Sequence, residues 1–337
     1  MSAVTLAVDA MGGDHGPRVT VPAVIDLLRD TEDASVILVG QEEEIRKYLP
    51  ASWRKDQRVS IVHTEEVILS EDSVAVALRQ KKRSSMRLAI ELVRDGQAHA
   101  AVSAGNTGAL MAVSRFVLKT HALIDRPAIL TAIPTQTGHC HMLDLGANVD
   151  SSPENLLQFA YMGSIAAECL DGIARPRVGL LNIGEEDIKG NDLIKKTNQL
   201  LQASGLNYMG YIEGDRVFLG QADVVVCDGF VGNVALKFSE GVARMFAQRI
   251  REEIQSSWMR RFLGAMALPI WLGLKKQMDP SHYNGASLVG LTGIVVKSHG
   301  GAERIAFVNA LRVALREAAI NMPELIAKRL VISTTRN

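Results

Sequence analysis

Four apolar residues, Val224-Val225-Val226-Cys227, run straight into Asp228-Gly229-Phe230-Val231-Gly232-Asn233, after which Val234, Leu236 and Phe238 resume an apolar pattern. An unbroken β-branched run of this kind reads as a strand covered on both faces, as strands are in a parallel sheet. Two glycines interrupt it, and the chain beyond them reads as a helix. A strand that feeds a helix through a glycine turn aims several backbone N–H groups at one place. The helix dipole favours negative charge there, and the missing side chains let a ligand reach the main chain. One such corner is usually no more than a connection. This chain repeats it.

Further strands are expected at Leu6–Asp9, Val36–Val39, Val59–His63, Ala100–Ser103, Ile129–Ile133, His141–Leu145, Val178–Ile183 and Ile294–Lys297. Helical patterns separate them, among them Val19–Arg29, Glu42–Tyr48, Ser73–Arg83, Arg87–Asp95, Ala109–Lys119 and Ala302–Ala319. Ser151-Ser152-Pro153-Glu154 opens another helix with a capping serine, an early proline and an early acid. Strands alternating with helices build an α/β fold with a mainly parallel sheet, here one large domain over residues 1–337. Six loops at strand ends are rich in Gly, Asn, Asp and Lys: Gly12–Gly16, Gly105–Gly108, Gly146–Asp150, Gly184–Asp192, Asp228–Asn233 and His299–Gly301. Ligands of such folds sit at the carboxyl edge of the sheet, so the six loops are expected to line one anionic cleft.

Lys+Arg and Asp+Glu both number 37, so no global field favours nucleic acid and any electrostatic recognition is local. Cys140, Cys169 and Cys227 stand in apolar contexts and read as reduced core residues of a cytoplasmic protein. The N-terminus runs directly into a strand, with no export-signal pattern, and no uncharged apolar run is long enough to span a bilayer. The dinucleotide fingerprint, the Walker loop, H-E-x-x-H and G-x-S-x-G are all absent. His139 and His141 share a strand face, but no second cluster stands at ligand spacing, so strand packing is preferred to a metal. What remains is an amide-lined cleft with one lysine, Lys189, in a polar loop between Gly184 and Gly190, beside Glu185, Glu186 and Asp192.

These residues resemble the phosphate acyltransferases of bacterial phospholipid synthesis (the PlsX family), which use acyl carrier protein thioesters. The resemblance runs end to end through VDAMGGDHGP, SSMRLAIELVRDGQAHAAVSAGNTGALM, RPA around Pro127, MLDLGANVD, NIGEEDIKGND, CDGFVGNVALK and GIVVKSHGGA. It implies a Rossmann-like α/β/α sandwich related in architecture to isocitrate and isopropylmalate dehydrogenases and to phosphotransacetylases. It also implies transfer of a long-chain acyl group from the carrier protein to inorganic phosphate, without a cofactor. The acyl phosphate formed would feed a membrane glycerol-3-phosphate acyltransferase.

Phosphate is already an anion, so no serine or cysteine nucleophile is required, and a thiolate leaves without strong acid help. By resemblance and charge, Lys189 is assigned to the phosphate or the tetrahedral oxyanion, and Asn233 to hydrogen-bond donation at the same centre. Gly12, Gly13, His15, Asn106, Thr107, Asn148, Gly184, Glu185, Asp228 and Gly232 are expected around the substrate. His15 reads equally well as a turn residue, and Asp9 as a support for its own loop. The stretch Ser70–Val76 departs from the family pattern, which leaves the carrier-protein docking face open. Two other readings are a coenzyme A-dependent phosphotransacetylase or related dehydrogenase, and a non-catalytic carrier-protein or lipid-binding scaffold.

Residues 255–285 interrupt the α/β rhythm as an apolar helical arm. Within it Phe262–Leu274 carries no charge and is flanked by Arg260-Arg261 and Lys275-Lys276. It is too short to cross a bilayer, and Pro269 would break a continuous helix. Trp258, Phe262, Leu263, Trp271 and Leu272 suit either the membrane interface or the face of a homodimer. The family resemblance implies both a peripheral membrane enzyme and a dimer.

Overall fold

Leu6, Ala7 and Val8 are fully buried, as expected of a strand with helices on both of its faces. In the computed structural model, which describes residues 4–186, 188–267, 273 and 283–334, they belong to β1 (Val4–Asp9). Along the chain it is succeeded by β2 (Ala34–Gly40), β3 (Val59–His63), β4 (Ala100–Ser103), β5 (Ala128–Thr135) and β6 (Gly138–Leu143). Next come β7 (Val178–Leu181), β8 (Tyr208–Ile212), β9 (Val224–Val226), β10 (Ala286–Val289) and β11 (Ile294–Lys297). They form one sheet in the order β3-β2-β1-β4-β11-β10-β5-β6-β9-β7-β8.

The helices begin with α1 (Pro17–Asp30), α2 (Glu42–Tyr48), α3 (Val74–Arg79), α4 (Ser85–Arg94), α5 (Thr107–Leu118) and α6 (Pro153–Asp171). They continue with α7 (Asp192–Gln202), α8 (Gly214–Val217), α9 (Gly229–Gln255), α10 (Trp258–Met266), α11 (Arg304–Ala319) and α12 (Met322–Thr334). Local chemistry explains most starts: Ser73, Ser84, Asn106, Ser152, Asn191, Asp228 and Ser257 each accept a hydrogen bond from a first-turn amide.

The sheet departs from the uniform polarity that the alternating pattern predicts. β10 runs antiparallel to both β11 and β5, and β5 runs antiparallel to β6. Three reversals, an odd number, separate two parallel blocks. The strands β1 to β4 with β11 therefore point one way, and β6, β9, β7 and β8 point the other. Consequently the carboxyl ends of β1, β4 and β11 lie at one edge of the sheet, and those of β6, β9 and β7 at the opposite edge. The cause is the hairpin joining β5 to β6, together with the intervening β10, which the sequence pattern does not reveal. β8 also escapes that pattern, since Gly210 divides it and its residues are mostly half-exposed.

Alternation along the strands assigns the two faces. Ala7, Ala101, Val295 and Leu288 join Ala77, Ile90 and Leu110 in a cluster that packs α3, α4 and α5 onto one face. That cluster continues into Ile129, Met142 and Val225, where Ala235 and Leu236 of α9 settle. Met111 of α5 touches both clusters. The opposite face is covered by α1 and α11 over one block and by α6, α7 and α12 over the other. Thus α5 and α9 stand on the same face with the centre of the sheet between them.

Exposed apolar surface begins before residue 255. Beyond its first turns α9 is exposed, with Phe238 at 72%, and α10 packs on α9 with Trp258 at 79%. Phe262 and Leu263 are also exposed. Trp271 and Leu272 lie outside the described residues.

One buried group gives the fold a pH signature. Glu317 of α11 is 1% exposed and accepts a hydrogen bond from Ser287 of β10. Burial raises its pKa from the ordinary 4.5 to about 7. A raised carboxyl pKa contributes stability fully below the unfolded value, and that contribution is lost as pH rises through the folded value. Unfolding free energy is therefore expected to lose about 3 kcal/mol from this group across that window. Glu317→Gln should flatten that part of the pH profile in urea denaturation; an unchanged slope would remove Glu317 as its source.

Candidate active site

Asp9, Ser103 and Lys297 end three adjacent strands in one row, on the face that carries α5. Lys297 is in register with Ser103, and Ser103 Oγ donates to Asp9 Oδ2 at 2.7 Å. Burial raises the pKa of Asp9, opposed by the neighbouring Ser85 and Ser103 hydroxyls and the start of its own loop, while its Oδ1 has no hydrogen-bond partner among the described residues. Asp9 thus supports its own loop. Gly12 lies hard against this pair, because a Cβ there would stand 2.6 Å from Asp9 Oδ2 and 2.9 Å from Gly105 N. Gly13 has φ +85°, and a Cβ on it would come within 2.8 Å of Gly300 O and 2.9 Å of Ala104 Cβ. Asp14 N donates to Gly300 O at 2.9 Å, closing the three loops on one another.

Lys297 sits at the centre of this arrangement. Its side chain leaves a fully apolar strand, the residue is only 9% exposed, and Nζ donates to Ala104 O at 3.4 Å and to Ser298 O. No carboxylate pairs with it among the described residues. Burial, and then the nearby Lys237 ammonium of α9, lower its pKa from 10.5 to about 8, while Asp9 and Asp14 act in the opposite sense. Lys237 itself pairs with Glu240 at 3.1 Å. Burial, followed by Lys237, likewise lowers the pKa of the exposed His299.

The second set of corners is organised by Asp144, whose residue is fully buried. Its Oδ1 accepts from the amides of Ile129, Gly146 and Ala147, and its Oδ2 from the amide and side chain of Asn148, all within 3.2 Å. Burial raises its pKa despite these bonds. The start of α9 packs directly on this loop. A Cβ on Gly229 would stand 2.3 Å from Asn148 O, and one on Gly232 only 1.9 Å from Asp144 O. Asn233 lies beside Gly146, where a Cβ would sit 3.3 Å from the Asn233 Cγ. Its side-chain amide makes no hydrogen bond among the described residues. One helical turn later comes Lys237, on the same side of α9 as Asn233. The first two turns of α9 therefore link the two sets of corners across the face of the sheet.

Known proteins share this frame. Structures similar in fold include a phosphotransacetylase from Streptococcus pyogenes, with TM-score 0.64 and 18% identity, covering 94% of each chain. A 4-hydroxythreonine-4-phosphate dehydrogenase from Klebsiella pneumoniae has TM-score 0.55 and 14% identity, covering 94% of this chain and 100% of its own. The family model described as "Fatty acid synthesis protein" matches residues 4–325. Proteins named phosphate acyltransferase are closer in sequence. That of Alcanivorax borkumensis is 61% identical, covering 98% of each chain, and that of Pseudomonas aeruginosa is 54% identical, again covering 98% of each. The chain belongs to the phosphate acyltransferase family.

In this family member, several expected site residues turn out to be occupied in building the corners. Asn106 caps α5 through Ala109 N and donates its amide to Ser70 O and Asp72 O, tying down the departing Ser70–Val76 stretch. Asn148 donates to Pro127 O and Asp144 Oδ2. Asp228 caps α9 through Val231 N. His15 is half-buried and meets Arg18 at 3.3 Å, a turn arrangement. Thr107 is exposed at the start of α5, beside the first set.

Lys189 lies beyond β7, at the same sheet edge as the second set. Its side chain is 44% exposed, with Nζ 3.8 Å from Glu186 Oε1. Its Cγ lies 3.1 Å from where a Gly184 Cβ would be. Glu185 is exposed on the same loop. The six glycine corners thus follow strands that end at opposite sheet edges, three and three, with the start of α9 running between the two sets.

Sequence reasoning passes over Lys237, Lys297 and Asp144. Lys297 carries a usable signal, since a lysine closing an otherwise apolar buried strand needs a reason to be there. His139 and His141 do more than pack. Both reach Asp171 Oδ2, at 3.1 Å and 2.5 Å, and the three could hold a metal ion. The buried His141 Nδ1 has no partner, whereas a metal-bound imidazole usually donates from its second nitrogen. The group is best described as an ion-paired cluster.

Proposed function

We propose that the enzyme transfers a fatty acyl group from an acyl carrier protein thioester to inorganic phosphate, releasing acyl phosphate for glycerophospholipid synthesis. The observation that carries this reading is the presence of cations and glycine-exposed amides at the two sets of corners with no usable cysteine nucleophile beside them. Burial pushes the Cys140 thiol up to about 12. Burial also raises Cys227 far above its usual range, aided by the neighbouring Asp144 charge, and Cys169 is raised the same way. Thiols held protonated do not form an acyl-enzyme. The nucleophile is then the phosphate itself: its oxygen bonds to the thioester carbonyl carbon, the C–S bond breaks, and the electron pair leaves on the carrier thiolate. Asn233, with an uncommitted amide, and Lys189, with an accessible ammonium, are the proposed donors to the tetrahedral oxyanion. Positioning two bound substrates supplies the remainder of the acceleration.

The test supplies labelled phosphate with acyl carrier protein or coenzyme A as acyl donor. Acyl phosphate, trapped as the hydroxamate, is expected with the carrier protein. Turnover confined to acyl-coenzyme A would favour the phosphotransacetylase reading. Carrier binding without phosphate-dependent turnover would favour a scaffold.

On the same reading the enzyme is cytoplasmic and sits on the membrane surface as a homodimer. The exposed apolar residues of α9 and α10, with Arg260 and Arg261 beside them, support this placement. No helix among the described residues is long and apolar enough to cross a membrane. Trp258→Glu is expected to cut flotation with anionic vesicles several-fold while leaving the sedimentation coefficient unchanged. Unchanged flotation with a smaller particle would assign Trp258 to the dimer instead.

A further inference from the structure

We propose that orthophosphate is held at the first set of corners, between Lys297 and Lys237 and against the Gly12–Gly13 turn and the start of α5, rather than beside Lys189. The choice of anion rests on the acyl-transfer reading, but the geometry stands independently of it.

An ammonium has three N–H donors. Lys297 Nζ has two carbonyl acceptors, those of Ala104 and Ser298, which orient it and leave one N–H available. Carbonyl oxygens solvate a buried cation only in part, and no carboxylate among the described residues completes the neutralisation. Asp9 and Asp14 both act on Lys297, yet neither forms an ion pair with it among the described residues: Asp9 Oδ2 accepts from Ser103, and the Asp14 carboxylate lies against the Gly300–Gly301 turn. The Lys237 ammonium adds a second positive charge on the α9 side of Lys297, and an anion carrying about two negative charges between them would be favoured by both.

Ala104 is also where the other donors gather. Three residues after it α5 begins, and the amides of Thr107 and Gly108, in a helix's first turn, have no partner among the described residues. Gly13 touches Ala104 from the other side, with no side chain to obstruct the approach. Lys189, by contrast, is a more exposed cation already next to Glu186, a weaker place to concentrate a small dianion.

This division assigns one job to each set of corners. Phosphate enters at the edge formed by β1, β4 and β11. The thioester lies over the start of α9, its carbonyl carbon facing the phosphate and its oxygen toward Asn233, one helical turn from Lys237. The start of α9, which carries both Asn233 and Lys237, sets the separation between them.

The test measures inorganic phosphate binding directly, by calorimetry on the full-length enzyme without acyl donor, so its result does not depend on which thioester is used. Lys297→Met, which keeps the volume and removes the charge, is expected to weaken phosphate binding about tenfold to a hundredfold. It should raise KM for phosphate by a similar factor while KM for the acyl donor holds. Lys237→Met, at an exposed position where folding is not at risk, should weaken phosphate binding to a lesser extent. Lys189→Ala should bind phosphate as tightly as wild type. Wild-type phosphate affinity in both Lys297→Met and Lys237→Met, or loss confined to Lys189→Ala, overturns the assignment. Phosphate binding that depends on Lys297 in an enzyme making no acyl phosphate would uphold the site and remove the acyl-transfer reading instead.

Discussion

Lys189→Ala is expected to lower kcat for acyl phosphate formation by about a hundredfold to a thousandfold, the usual loss when one oxyanion donor is removed. The variant should fold normally. Lys189 is 44% exposed on its side chain, its contact with Glu186 is long at 3.8 Å, and exposed pairs of this kind contribute little to stability. Loop geometry does not depend on its ammonium either, since Asn182 Nδ2 donates to Gly184 O at 3.0 Å and Asn191 caps α7. Activity and stability are therefore separable at this position. Circular dichroism and denaturant midpoints should match wild type while hydroxamate-trapped product collapses. Near-normal turnover in a folded variant would remove Lys189 from the chemistry and leave Asn233 as the donor to examine.

Gly232→Ala is expected to behave in the opposite way, losing stability and activity together. A Cβ at this position would stand 1.9 Å from Asp144 O and 2.8 Å from Cys227 Sγ. The first of these is backbone in a loop pinned by five hydrogen bonds to the Asp144 carboxylate. The Asp144 carbonyl is backbone and cannot rotate aside, so α9 must lift away from the Gly146–Asn148 loop. The cost should be about 3 kcal/mol or somewhat more, the upper end for overpacking a buried site. Lifting α9 also shifts Asn233 and Lys237, so turnover should fall in the fraction that remains folded. Urea denaturation gives the first number and specific activity at low denaturant the second. A midpoint within error of wild type would show that the helix start is not packed as tightly as described.

The corner around Gly232 is legible in the sequence itself, from Val224–Cys227 and the glycines behind it, because strand burial and helix initiation are local effects with short sequence periods. The capping residues are legible for the same reason, as the Ser152-Pro153-Glu154 opening shows. Chain-long resemblance to phosphate acyltransferases points to the family, and the similarity to proteins of that name supports it. Asp144 is not legible: an aspartate after a strand ordinarily reads as a turn former, and only the folded loop aims five donors at it. Asn106, Asn148 and Asp228 read as substrate-facing from their place in the corners. Their hydrogen bonds instead engage partners such as Ser70, Pro127 and Val231, whose positions the motifs do not specify.

Amino-acid order alone determined that this chain alternates buried strands with capped helices and turns between them on glycine, since each of those choices is made within a few residues. The three-dimensional arrangement alone decided which corners meet. One hairpin and one short antiparallel strand invert half of the sheet, and an inversion is a matter of pairing between distant segments rather than of local preference. That pairing puts Lys297 in line with Asp9 and Ser103, lets the Lys237 charge on α9 act on it, and sends the Lys189 loop to the opposite edge.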